Sequence, residues 1–301
     1  MTEATILITG ANGQVGYELA RTMQGLGRVV ALDRASLDLA NLDAIRTTLR
    51  EMKPAIIINA AAYTAVDRAE SDRDSAFRLN AEAPGVLAQE CSKLGALLIH
   101  YSTDYVFNGE KEGPYAENDE TDPQNVYGAS KLAGERAVIK AGGAHLIFRT
   151  SWVYGARGNN FVQTMLRLGA ERDELRVVAD QIGAPTWSNT IATLTAHVVA
   201  SGLNASAAEY WNQCSGVYHL TAAGEASWYD LACAAFEITM GDAAPRVLPI
   251  EAKEYPTAAR RPLNSRLSNE ALKRRFGIRQ PHWRTALELC LAGREVSARR
   301  G

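Results

Sequence analysis

No stretch of this 301-residue chain approaches the ~20 consecutive apolar residues that a membrane-spanning helix requires. The start, Met1-Thr2-Glu3-Ala4, has neither the basic opening nor the apolar core of a secretory signal. Charge of neither sign dominates, with 32 Lys and Arg against 34 Asp and Glu, so no basic excess recruits nucleic acid or an anionic membrane. Cysteine is scarce: Cys91, Cys214, Cys233 and Cys290 are scattered and form no Cys-x-x-Cys pair. That pattern reads as free thiols in a reducing cytoplasm, not as a disulfide framework. The five histidines lack metal-ligand spacing. Repeats, low-complexity tracts and linkers are missing too. What remains is a cytoplasmic globular protein acting on small molecules, long enough for one large domain or two intimate ones.

What is present begins with Thr5-Ile6-Leu7-Ile8-Thr9, a short β-branched run read as a buried strand. Gly10-Ala11-Asn12-Gly13-Gln14-Val15-Gly16 follows, and then a helical stretch from Tyr17. Strand, glycine turn and helix are the setting of a dinucleotide fingerprint: glycines permit close backbone approach, and the helix start offers amide donors to pyrophosphate. A second strand, Arg28–Leu32, ends at Asp33, twenty positions after Gly13. An acid there accepts the adenosine ribose hydroxyls, whereas the guanidinium of Arg34 suits a 2′-phosphate. Both NADPH and NADH are therefore expected to work. Asp38 either approaches the adenine or serves as a turn carboxylate. Asn41 is placed to cap a helix over Leu42–Met52. A third strand, Ala55–Asn59, opens into the small residues Ala60-Ala61-Ala62 before Tyr63 and Thr64. A helix over about 72–94 is expected to break or kink near Pro84.

The densest chemistry lies between His100 and Glu135. The run Ala96–Tyr101 reads as a buried strand and places Ser102-Thr103-Asp104 at its carboxyl end, where ligands bind in open α/β sheets. Downstream, Tyr127 and Lys131 stand one helical turn apart on one face. An ammonium beside a phenol is expected to lower the phenol's pKa, making Tyr127 a proton donor to a carbonyl, with the Thr103 hydroxyl at the same oxygen. A fifth strand covers 144–150. Alternating strands and helices predict an α/β fold with a Rossmann-like, doubly wound parallel sheet over residues 1–150. Residues 151–301 read mainly as a smaller α/β substrate lobe, some segments of which return to the first. There, Trp152 and Asn160 suit a polar, stackable ligand, and the Arg260–Leu267 stretch, with Arg261 and Arg266, suits a diphosphate.

Together, Gly10-x-x-Gly13-x-x-Gly16, Asn59-Ala-Ala-Ala62, Thr103 and Tyr127-x-x-x-Lys131 resemble the extended short-chain dehydrogenase/reductase superfamily. More narrowly, Ser102-Thr-Asp-Tyr-Val-Phe107, Arg149-Thr-Ser-Trp-Val-Tyr154, Gly183-Ala-Pro-Thr186 and Arg261-Pro-x-Asn-Ser-Arg-Leu267 resemble the dTDP-4-dehydrorhamnose reductase family. The resemblance runs nearly end to end. It implies NAD(P)H-dependent reduction of a nucleotide-linked 4-keto sugar, with Thr103, Tyr127 and Lys131 catalytic. It also implies that Gly13, Gln14, Val15, Asp33, Asp38, Leu39, Ala62, Tyr63 and Thr64 contact the cofactor, and that Thr103, Asp104 and Trp152 contact the sugar. Some family members are magnesium-bound homodimers with carboxylates at the interface; Glu18 fits such a ligand, but Trp187-Ser188-Asn189 stands where a second acid is expected, so no metal ligand is assigned. Two alternatives stay open: a reductase of a related nucleotide 4-keto-6-deoxy sugar, and a non-catalytic dinucleotide-binding subunit.

Overall fold

Apolar β-branched runs bounded by glycine and proline form the centre of the molecule. The computed structural model describes residues 4–203 and 207–292. Strand β1 (Thr5–Thr9) leads through the glycine turn into helix α1 (Gln14–Thr22) and then β2 (Arg28–Leu32). Helix α2 (Leu42–Met52) starts where the Asn41 side chain accepts the Ala44 N–H at 3.0 Å, and it stops at Lys53, whose φ of 43° is left-handed. Strand β3 (Ile56–Asn59), helix α3 (Ala83–Leu94), strand β4 (Leu97–Thr103), helix α4 (Val126–Ala141) and strand β5 (His145–Thr150) complete the alternation. From the second half of the chain, helix α5 (Ser188–Leu203) joins the same core as α1, and strand β6 (Gly216–His219) pairs with β5.

The six strands lie in the order β6-β5-β4-β3-β1-β2, and every pair is parallel. All residues of β3 and β4 are buried, as strands covered by helices on both faces must be. The order reverses direction between β1 and β3, and the crevice outside the carboxyl ends at such a switch point is where ligands bind. A separate core, including Val162, Leu175, Leu231, Phe236, Trp283 and Leu287, holds the remaining elements. These include a parallel pair, Glu174–Val178 with Arg246–Ile250, and a helix over Trp228–Met240. That helix opens on the Ser227/Asp230 capping box. Among the described residues no helix is long and apolar enough to cross a membrane.

The break expected near Pro84 takes a specific form. A helical turn over Arg73–Phe77 widens into a π-helical segment, Arg78–Glu82, and α3 follows with Pro84 in its first turn. Proline has no N–H to give back, and a widened turn re-registers the ladder around it. The widened turn holds Asn80, which is fully buried. Its oxygen accepts the Tyr63 N–H at 2.8 Å, and its amide donates to the Tyr63 carbonyl and the Ser130 hydroxyl, both at 3.0 Å. Asn80 thereby ties the chain after β3 to α4. Asn80→Ala leaves buried partners unpaired, so urea unfolding is expected to show a loss of about 2–4 kcal/mol; an unchanged midpoint would contradict this role.

Candidate active site

A cavity of about 780 Å³ opens along the carboxyl ends of β1 to β5. One end is lined by Gly10, Gly13, Gln14, Val15, Asp33, Arg34, Asp38 and Leu39, the middle by Ala62 and Thr64, and the other end by Thr103, Asp104, Tyr127, Lys131, Trp152 and Asn160. The glycine turn packs backbone on backbone, which only glycine allows. Gly10 has φ +71°, and a Cβ there would stand 2.7 Å from the Ala61 nitrogen. A Cβ at Gly16 would stand 2.1 Å from the Gly10 carbonyl, so this glycine packs turn against helix without touching the cavity. These features, with the amides at the start of α1, fit a dinucleotide diphosphate.

At the adenosine end, Asp33 accepts the Ser36 N–H at 2.9 Å, the Ser36 hydroxyl at 2.8 Å and the Asn12 amide at 3.0 Å. Those donors, the Ser36 backbone first, hold its carboxyl below the usual range. Arg34 is exposed and lies 3.5 Å from Asp38, within reach of the same ligand edge. Tyr63 departs from expectation. Its side chain turns away from the cavity and donates to Asp72 at 3.0 Å, so the Asn80-held backbone, and not the ring, belongs to this segment's function.

At the other end, Thr103 closes β4 and Tyr127 stands in the first turn of α4, which the Asn125 side chain caps through the Gly128 N–H at 2.8 Å. The Thr103 hydroxyl donates to Asp104 at 2.9 Å and accepts the Tyr105 N–H at 3.2 Å, and the Tyr127 phenol is its neighbour in the cavity wall. The expected lowering of the Tyr127 pKa is not found. Burial pushes the phenol well above its ordinary value, with only a partial offset from Thr103 and further upward pressure from the Asp104 charge. Lys131 faces elsewhere: its ammonium donates to the Tyr101 carbonyl and lies 3.4 Å from His100 Nε2. Burial pushes Lys131 itself down to about 8, against a countering pull from Glu135. Glu135 is held by both arms of Arg149, at 2.9 and 2.7 Å.

Trp152 has φ +49°, unusual for a bulky residue. Its indole is stacked on Trp228, with centroids 3.6 Å apart and planes 6° from parallel, and a side chain at Gly183 would run into the same ring. The stacking partner of Trp152 is therefore a second tryptophan, which the sequence reading had not singled out. Trp228 also lines a second cavity of about 750 Å³, with Phe161, Arg176, Tyr255 and Arg261. Arg261 donates to Asp67 at 2.7 Å and to the Tyr105 hydroxyl at 3.3 Å, which places it between the two cavities. Arg266 lines neither; it donates to Asn264 at 2.9 Å and to Glu225 at 3.1 Å. The Asn160 amide is already engaged by Gln14 and the Gly155 carbonyl while its oxygen caps the following helix, so it shapes the wall. Glu18 accepts from Asn189 at 2.9 Å, and among the described residues no cluster of His, Cys, Asp and Glu could hold a metal ion.

A six-stranded doubly wound sheet with a glycine cradle and a Thr/Tyr/Lys set at the strand ends defines the extended short-chain dehydrogenase/reductase class. Residues 4–295 match the model of the RmlD substrate binding domain family. A dTDP-4-dehydrorhamnose reductase from Burkholderia thailandensis is 53% identical over 293 residues, covering 95% of this chain and 97% of the relative. Among solved structures, the dTDP-4-dehydrorhamnose reductase of Clostridium acetobutylicum superposes with a TM-score of 0.88 at 39% identity, covering 95% of this chain and 98% of the other. The Bacillus anthracis enzyme of the same name, in complex with NADP, does so at 0.88 and 37%, covering 97% and 99%. The chain belongs to the dTDP-4-dehydrorhamnose reductase family.

Asp104 supplies a pH-dependent test. It is 3% exposed, and burial pushes its carboxyl up to about 6. The folded state therefore holds a proton that the unfolded chain has already released between about pH 4 and 6, and stability falls as pH rises through that window. Asp104→Asn removes the titration. The stability of the variant relative to wild type is expected to improve by about 2 kcal/mol between pH 4.5 and 7.5 in urea unfolding; a pH-independent difference would contradict the assignment.

Proposed function

We propose that the protein reduces the C4 ketone of dTDP-4-dehydro-β-L-rhamnose to the alcohol of dTDP-L-rhamnose, using NADPH or NADH. The observation that carries this reading is the convergence of Thr103, Tyr127 and Lys131 in the cavity whose other end is the glycine cradle. Relatives of the same family bear that enzymatic name, and one was solved with NADP. When bound, the nicotinamide supplies the hydride. The residues of the chain do the rest. Gly10, Gly13 and the start of α1 hold the diphosphate, while Asp33 and Arg34 meet the adenosine ribose. A fixed carboxylate favours the free hydroxyl and a mobile guanidinium favours a phosphate. Both groups are exposed, so neither effect is large. Ala62, Thr64 and Lys131 hold the nicotinamide half.

The sugar carbonyl lies against the Tyr127–Thr103 pair. Tyr127 then donates its proton to the oxygen as charge grows on it, and Thr103 turns its hydroxyl from Asp104 to the same oxygen. Donors placed where charge develops act mainly in the transition state. Burial keeps the Tyr127 phenol protonated, so its proton is in place when the carbonyl arrives. The nucleotide would occupy the second cavity, with Arg261 near the diphosphate and Trp228 against the rest. On this reading residues 1–150 bind the cofactor, with α5 and β6 returning to complete that half, and the remainder of 151–301 binds the sugar nucleotide.

The test is to supply purified protein with dTDP-4-dehydrorhamnose and either cofactor, and to identify the product. Formation of dTDP-L-rhamnose with both cofactors is expected. Tyr127→Phe should lower turnover by about 10²–10⁴-fold with cofactor binding retained. Near-wild-type turnover in Tyr127→Phe, or no reduction of this sugar by wild type, would overturn the proposal.

A further inference from the structure

His100 is a histidine at the centre of a parallel sheet. It is 0% exposed on β4, a strand whose residues are all buried. Burial in such a place is tolerated only when both ring nitrogens have partners. Nδ1 lies 3.1 Å from the Asn59 amide nitrogen, and Nε2 lies 3.4 Å from the Lys131 ammonium. The chain continues to β1, where the Thr9 hydroxyl donates to the Asn59 oxygen at 2.7 Å. Thr9 and Asn59 are each 1% exposed and Lys131 is 2% exposed, so no member of the series is exchanged freely with water.

The direction of the series is set by a group that cannot turn round. The Asn59 oxygen also accepts the backbone N–H of Ala61 at 3.3 Å. A backbone N–H is a donor only, so the Asn59 amide cannot flip without setting two donors against each other. Its NH₂ must then point at His100, and Nδ1 must be the bare nitrogen. His100 is held uncharged, first by burial and then by the Lys131 charge, so its single proton stands on Nε2. That N–H is aimed at Lys131.

We infer that His100 is a positioning residue for Lys131: locked by Asn59 as the Nε2–H tautomer, it turns a donor toward the amine and so eases release of the Lys131 proton. An ammonium facing another N–H is poorly satisfied; the neutral amine accepts that same N–H with its lone pair. The consequence for the proposed reduction, on which this inference rests for its purpose, is an amine that gives up its proton readily in the same cavity wall as Tyr127. The remaining groups that bear on Lys131 are Glu135, which opposes this by favouring the charged form and is itself paired to Arg149 from β5, and Tyr127 and Asp104 at the cavity wall. The Tyr101 carbonyl accepts from Lys131 in either state.

The test uses the full-length protein without cofactor or substrate, so it stands apart from whether the proposed sugar is reduced. Histidine is labelled with ¹⁵N, and the ring nitrogens of His100, identified by loss of its signals in His100→Gln, are followed from about pH 6 to 9. A neutral Nε2–H tautomer is expected throughout, with its shifts moving as Lys131 titrates. Lys131, followed through a ¹³C label on its ε-carbon and identified with Lys131→Met, should titrate about one pH unit higher in His100→Gln, where an amide oxygen can face the ammonium. A neutral Nδ1–H tautomer or an imidazolium at pH 6 would overturn the inference, as would a Lys131 titration that stays put or falls. If His100→Gln does not fold, the tautomer in wild type decides alone, its signals then identified by their response to Lys131→Met.

Discussion

A lysine amine that is 2% exposed must be answered by its surroundings, because an unmatched buried charge costs several kcal/mol. Lys131 is answered from β4 by the Tyr101 carbonyl, which accepts one of its N–H groups. That demand fixes how α4 lies on the sheet. One helical turn earlier, Tyr127 is carried to the carboxyl end of β4, where Thr103 and Asp104 wait. One turn later, Glu135 meets Arg149 from β5. A single buried helix face thus joins Tyr127, Lys131 and Glu135 to the sheet, and the rest of the cavity is arranged around that junction.

The fold was legible in the sequence because its signals are local. Each of the first five strands is a β-branched run ended by a turn residue, and Asn41, Pro54 and the Ser227/Asp230 pair mark helix ends by chemistry that acts within a few residues. The glycine cradle was legible for the same reason. That Thr103, Tyr127 and Lys131 line one cavity was legible because strand end and helix spacing both predict position. What escaped depends on contacts between distant segments. Asn80 looks like an ordinary polar residue in a helix until the π-turn aims it at Tyr63. His100 could have been noticed as an imidazole in a fully buried strand that cannot hide it without partners. The expected effect of Lys131 on the Tyr127 pKa failed because spacing says that two side chains share a face but not where a long side chain sends its charge. Tyr63 and Arg266 were assigned by resemblance or composition, and the structure ties both to carboxylates outside the cavities.

The two cavities meet at aromatic and charged residues that serve both. Trp152 lines the first and is stacked on Trp228, which lines the second. Tyr105 lines the first and accepts from Arg261, which lines the second. A ligand with an uncharged, reactive ring at one end and a charged, stackable group at the other matches that division, and a nucleotide sugar has this form. Trp152 has a positive φ and packs its ring over Gly183, where no side chain would fit, so the boundary is built from close contacts.

The central claim is that hydride and proton meet at one carbon–oxygen bond of the sugar, at the Tyr127–Thr103 end of the first cavity. Deuterium transfer tests this most directly. With NADPH deuterated at the transferable position and dTDP-4-dehydrorhamnose, NMR of the product is expected to show deuterium at C4 of dTDP-L-rhamnose and at no other carbon. Product free of deuterium, or deuterium at a different carbon, would contradict the account.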